Sequence, residues 1–205
     1  MPVNVLVCTN GRNGSEWFGR LLVERGFMKM REDYNPFHKF NNPKYRYNPG
    51  FRAWGQAAKK EKKDFVTKLM PWHFVWWGSP HHGYYGPKTG RKLVEENISW
   101  ANMQKCLPYK KTAYIRLIRK DSFAVARSTK GAHKVQNWQI STQNVVSPDE
   151  ITEKDVKLAD LNNAWWDYIL AGEDYHVVYY EDLKEDTVGE MKKVTDYIES
   201  VKRKK

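Results

Sequence analysis

The sequence predicts an α/β fold: a parallel sheet flanked by helices, in a single domain spanning residues 1–205 with long aromatic-rich insertions. Three observations predict it. Short apolar runs rich in β-branched residues recur at Val3–Val7, Phe65–Met70, Thr112–Ile118 and Tyr175–Tyr180, the pattern of buried strands. Stretches with apolar residues at helical spacing separate these runs, and alternating strands and helices imply parallel pairing. The first strand also passes through a tight polar turn with two glycines, Asn10-Gly11-Arg12-Asn13-Gly14-Ser15, directly into a helix.

Taken in order, the first helix carries Trp17, Phe18, Leu21 and Leu22 on one face, and Gly26 stands where a C′ residue would end it. Residues 35–63 mix prolines, glycines and aromatics and read as a long irregular insertion with a helical turn near Ala53–Lys60. Phe65–Met70 is the second strand, stopped by Pro71, and residues 72–90 form a second aromatic, glycine-rich insertion. Arg91–Leu107 is expected to be a helix with Val94, Ile98, Ala101 and Cys106 inward. After the third strand, Thr112–Ile118, Asp121 is suited to cap the next helix. Two start signatures, at Ser147-Pro148-Asp149-Glu150 and Thr152-Glu153-Lys154-Asp155, introduce a long helix bearing Leu158, Leu161, Trp165 and Ile169 and ending near Gly172. The fourth strand, Tyr175–Tyr180, precedes a closing helix marked by Val188, Met191, Val194, Ile198 and Val201.

Composition narrows the function. The chain is long enough for one substantial core, and 40% hydrophobic with 14% aromatic residues excludes a mainly disordered protein. A net charge of +11 calls for an anionic partner: nucleotide, nucleic acid, acidic glycan or membrane surface. Part of that excess is Lys59-Lys60-Glu61-Lys62-Lys63 and Lys202-Arg203-Lys204-Lys205, runs that commonly are just solvated. Cys8 and Cys106 are too few for a disulfide framework, and no Cys/His spacing matches a zinc site. Without a signal-peptide or membrane-span pattern, the expected setting is soluble and cytoplasmic.

Two places can take an anion. Strand, glycine loop and helix in sequence aim backbone N–H groups and the positive end of a helix at one point. The plain alternative is an ordinary βα turn. Arg119 lies at the end of the third strand, and Asp121, Val125 and Ser128 share a face of the following helix. In a parallel sheet the C-terminal strand ends line the ligand crevice, so Arg119 and the glycine loop are expected on one edge. A nucleotide with phosphates at both ends of its ribose would bridge them. The competing assignment gives Arg119 a salt bridge and Ser128 a helix surface.

These motifs resemble the sulfotransferases that use 3′-phosphoadenosine-5′-phosphosulfate (PAPS), nearest the bacterial trehalose-sulfotransferase-like branch. Gly11-Arg12-Asn13-Gly14-Ser15-Glu16-Trp17 is similar to that superfamily's P-loop-like turn for the 5′-phosphosulfate. Arg119-Lys120-Asp121 through Ala126-Arg127-Ser128, with Gln136 and Trp138 beyond, resembles the element that holds the 3′-phosphate. Tyr180-Glu181-Asp182-Leu183 matches the Tyr-Glu-Asp-Leu after the last strand. The sequence departs from the pattern at Glu16, which replaces a hydroxyl, at Asn13, which replaces a serine, and in having no recognisable basic loop near the C-terminus. A Walker lysine is missing as well, which argues against an ordinary nucleotide kinase.

The resemblance implies PAPS as donor, 3′,5′-adenosine bisphosphate as product, and a hydroxyl acceptor such as a carbohydrate. Arg12 would hold the 5′-phosphate and offset charge on the leaving oxygen, with Asn13, Gly14, Ser15, Glu16 and Trp17 around it. Trp17 would stack on adenine or else belong to the core. Arg119 and Ser128 would hold the 3′-phosphate. The general base falls at Asp33, beside Glu32, although a free Asp has a pKa of about 3.9. His73 has the better intrinsic pKa and the poorer position, because the family's strand-end histidine is Met70 here. Segments 35–63 and 72–90 are assigned to the acceptor side, where Trp54, Trp72, Trp76, Trp77, Tyr84 and Tyr85 offer flat faces to a sugar or lipid, or serve as satellite core. His81 and His82 are adjacent, and no metal is expected. No nucleic-acid partner is expected on this reading. Two other classes stay open: a basic nucleic-acid-binding protein and a degenerate nucleotide fold kept as an interaction module.

Overall fold

The computed structural model describes residues 1–31, 49–71, 99–135 and 145–204. Its centre is a sheet of four parallel strands in the order β2-β1-β3-β4. These are β1 (Asn4–Thr9), β2 (Phe65–Leu69), β3 (Thr112–Ile118) and β4 (Tyr175–Tyr179). Every residue of β1 and β2 is buried, so the apolar runs read without alternation, as strands covered on both faces do. Val7 lies level with Lys68 on one side and Ile115 on the other, and Thr9 with Leu117. That register brings the exits of β1 and β3 side by side at one edge of the sheet.

The helices among the described residues are α1 (Ser15–Glu24), α2 (Pro49–Glu61), α3 (Ser99–Lys105), α4 (Ser122–Val135), α5 (Glu153–Ile169), α6 (Tyr180–Glu185) and α7 (Thr187–Arg203). Helix α1 ends as expected. Gly26, at φ 85°, lets its own N–H reach the Val23 carbonyl (2.9 Å) and that of Phe27 reach Leu22 (3.2 Å). Helix α5 packs on β1 and α4, and α7 on β3 and β4. Trp165, Trp166, Phe18, Leu6, Ile115 and Leu117 are among the side chains fully enclosed in the core.

Several boundaries differ from the expectations. The helical turn expected near Ala53–Lys60 is part of a 13-residue helix, Pro49–Glu61: Pro49 opens it, Gln56-Ala57-Ala58-Lys59-Lys60 are strong helix formers, and Ala58 is buried. The two start signatures serve two elements. Ser147 caps a single 3₁₀ turn, Pro148–Glu150, and Thr152 caps α5 by its own capping box. Strand β4 ends at Tyr179, and Tyr180 begins α6. Of the apolar residues that mark the closing helix, Val188 is 75% exposed, while Met191, Val194, Ile198 and Val201 are buried. The first part of the helix expected over 91–107, including Val94 and Ile98, lies outside the described residues. No helix among the described residues is long and apolar enough to cross a membrane.

Candidate functional site

The turn after β1 is held from both sides before it reaches α1. Trp166 Nε1, on α5, donates to the Thr9 carbonyl (2.9 Å), and Asn10 Nδ2 donates to Asn163 Oδ1 one turn earlier on the same helix (2.6 Å). On the β3 side, buried Asn13 donates from Nδ2 to the Leu117 carbonyl (3.2 Å). Asn163 is fixed in turn: the buried Arg116 of β3 donates to its carbonyl (2.8 Å) and pairs with Asp167 at 2.5 Å. Burial pushes the Arg116 guanidinium down and Asp167 opposes that shift.

Within the turn, Arg12 and Gly14 both have left-handed backbones, with φ of 69° and 78°. For arginine that conformation costs about 1–3 kcal/mol, a strain typical of functional turns. Gly14 is required twice over, because a Cβ there would overlap Cδ2 and Cε2 of Tyr180. As N-cap, Gly14 has no side chain to close the helix. The first internal bond runs from Phe18 N–H to the Gly14 carbonyl (3.0 Å), and among the described residues the N–H groups of Ser15, Glu16 and Trp17 meet no acceptor. They point out of the helix end, the arrangement that binds anions.

Arg12 leaves this turn for the neighbouring one. Its Nε donates to Oγ of Ser128 at 2.8 Å, and Ser128 is buried on α4. Burial lowers the Arg12 pKa, and the positive charge of Arg119 pushes it the same way. Two arginine side chains thus share one half-buried rim. The glycine turn, Ser128 and Arg119 therefore meet at one edge, as the strand order requires.

Tyr180 ties this rim together. Its ring lies against Gly14, packs edge-on to Trp17 (5.9 Å, 78°), and sits under the Arg119 guanidinium at 5.0 Å. The rest of that motif has plain duties. The Glu181 carboxylate accepts from the N–H groups of Lys120 (3.1 Å) and Asp121 (3.4 Å), Asp182 pairs with Lys120 at 2.6 Å, and Leu183 is core. Arg119, Lys120 and Asp121 thus diverge: the first over Tyr180, the second outward over Tyr179 (4.4 Å), and the third onto Ala124 N–H as a helix cap (2.8 Å).

No family model matches the chain, and no curated protein matches it. Solved structures do overlay on it. The sulfotransferase domain from the curacin biosynthetic pathway covers 97% of this chain and 74% of its own length, with a TM-score of 0.49 and 11% identity. The sulfotransferase domain from the Synechococcus PCC 7002 olefin synthase covers 96% and 73%, with a TM-score of 0.47 and 13% identity. Neither likeness bears on which residues act.

The remaining candidates divide. Asn13 uses its side-chain amide to fasten the turn to β3. Trp17 is half-buried against the core as well as against Tyr180. Glu16 points away from the turn, to Lys68 Nζ at 2.9 Å. Trp54, considered for the acceptor side, donates to the Val66 carbonyl (3.2 Å) and lies under Arg31 (4.8 Å), a packing role on β2. Asp33, His73, Glu32, Trp72, Trp76, Trp77, Tyr84, Tyr85, His81, His82, Gln136 and Trp138 lie outside the described residues. Lys68 and Asn163 went unmarked in the sequence, and Tyr180 was marked only as part of its motif, not as a neighbour of Gly14 and Arg119. A lysine inside the apolar run at the exit of β2 was the available signal for the first.

Proposed function

We propose that this chain is a sulfotransferase, moving a sulfuryl group from PAPS to a hydroxyl of a carbohydrate or other small acceptor. The observation that carries the reading is the meeting of Arg12, Ser128 and Arg119 on one rim above uncapped helix amides. Those groups suit a ligand with two phosphate-bearing ends. The motif resemblance to the trehalose-sulfotransferase-like branch belongs to this proposal and gives the donor its name.

When bound, the donor supplies a sulfuryl group already activated by its phosphate. The protein's part is placement and charge. The N–H groups of Ser15, Glu16 and Trp17, with Arg12, take the 5′-phosphate, and Arg12 offsets the negative charge that grows on its bridging oxygen as the sulfur–oxygen bond breaks. Arg119 and Ser128 take the 3′-phosphate. Trp17 and Tyr180 offer ring faces beside the same rim. Asp33 is proposed to accept the acceptor's proton as its oxygen joins sulfur, with His73 as the alternative base. Segments 35–63 and 72–90 are proposed to form the acceptor side.

Calorimetry with 3′,5′-adenosine bisphosphate tests the donor site. Binding with a Kd on the order of micromolar is expected, weakened by Arg12→Ala and by Arg119→Ala. Absence of binding to the intact protein would discard the reading. For the base, Asp33→Asn should cut turnover with unchanged bisphosphate affinity; full turnover would pass the role to His73.

A further inference from the structure

We infer that Lys68 is a positioning residue of the anion site: its ammonium neutralises Glu16, so that the turn can receive a multiply charged phosphate group. This rests on the proposed function and deepens it. Glu16 is the second residue of α1, flanked by Ser15 and Trp17 with their outward N–H groups. A carboxylate there suits the helix dipole but repels an anion arriving at the same amides. Lys68 answers it from the exit of β2, level with Val7 of β1, with Nζ 2.9 Å from Glu16 Oε1.

The two partners are unequally held. The Lys68 side chain is 8% exposed and that of Glu16 is 73% exposed. Lysines are rarely buried without a partner, so the cation is the fixed member and the carboxylate the one drawn to it. An ion pair with one end in water adds little to stability, and the visible consequence of this one is the direction in which Glu16 points. With the pair intact, the first turn of α1 presents no net negative charge to a ligand. With Lys68 removed, a carboxylate is left beside the cradle. With Glu16 made neutral, the carboxylate's repulsion is gone while the Lys68 ammonium stays in place.

The signs of the two single substitutions therefore oppose each other. Lys68→Met should weaken binding of 3′,5′-adenosine bisphosphate about tenfold, Glu16→Gln should tighten it several-fold, and the double variant should return to roughly the wild-type value. Inorganic pyrophosphate serves as a second probe and should follow the same order with smaller differences. Weaker binding in Glu16→Gln, or a double variant as weak as Lys68→Met, would overturn the inference. Because position 16 is exposed, Glu16→Gln decides the sign even if Lys68→Met fails to fold. If pyrophosphate follows the order and the nucleotide does not bind, the sulfotransferase reading falls and the role of Lys68 stands. If the wild-type protein binds neither, both fall.

Discussion

The turn from β1 into α1 and the turn from β3 into α4 share one topology and one edge of the sheet, yet they treat their helices in opposite ways. At α4 the end is closed: Asp121 caps Ala124, and the Glu181 carboxylate accepts from Lys120 and Asp121. At α1 it is open, because Gly14 has no side chain to fold back and Tyr180 fills the space where one would go. The first turn therefore offers its backbone as well as the Arg12 side chain, whereas the second contributes side chains only, Arg119 at the strand exit and Ser128 two turns along the helix. A parallel sheet supplies several equivalent strand exits, and capping decides which of them keeps its helix amides open.

The largest expected effect comes from Arg12→Ala, which removes a cation from the open turn together with its bond to Ser128. Bisphosphate affinity should fall about a hundredfold by titration, and Arg119→Ala should cost about tenfold or more, in line with roughly 1.5–3 kcal/mol for a charge-assisted hydrogen bond. Next in size, Gly14→Ala should destabilise the fold by about 2–3 kcal/mol in chemical denaturation, from its positive φ and the overlap with Tyr180. Adding Tyr180→Ala should recover only the overlap. A smaller effect is expected at the closed turn: Asp121→Ala should lose about 1 kcal/mol of stability as a lost cap. If it lowered affinity as far as Arg119→Ala does, the contrast between the turns would break.

The smallest effect lies away from both turns. His176 of β4 is stacked on Tyr197 (5.4 Å, 22°), and burial lowers its pKa, with Lys193 adding to the shift and Glu190 opposing it. The unfolded chain, at about 6.5, then binds protons more readily than the folded one. Stability should decline as pH falls through that value toward the folded pKa. Melting curves of His176→Phe, which keeps a ring on Tyr197, should show a shallower decline below neutral pH while the anion rim stays intact.

What the sequence revealed follows the reach of the interactions. Arg12, Arg119 and Ser128 could be found because strand exits in a parallel sheet converge and each residue is marked by its local pattern. Strands β1, β2 and β3 were legible because burial on both faces leaves an apolar run; β4, at the edge with only Val178 buried, was legible from its aromatic and β-branched residues. Lys68 and Glu16 were not legible as a pair: 52 positions separate them, and only the register of β2 against β1 brings them together. Asn163 was hidden in the same way, its partner Asn10 being 153 positions distant. Tyr180 was read as the last strand residue, although it starts a helix, because an aromatic after an apolar run fits both states. Prolines and aromatics on either side obscured the helix at 49–61, where Gln56–Lys60 were the better guide.

The proposed donor site requires one ligand touching both arginines, and comparing two nucleotides on one variant tests that requirement most directly. The wild-type protein should bind 3′,5′-adenosine bisphosphate about tenfold or more tightly than adenosine 5′-monophosphate, and Arg119→Ala should erase that advantage while leaving the monophosphate nearly unchanged. An advantage that survives the substitution, or a loss shared equally by both nucleotides, would contradict it.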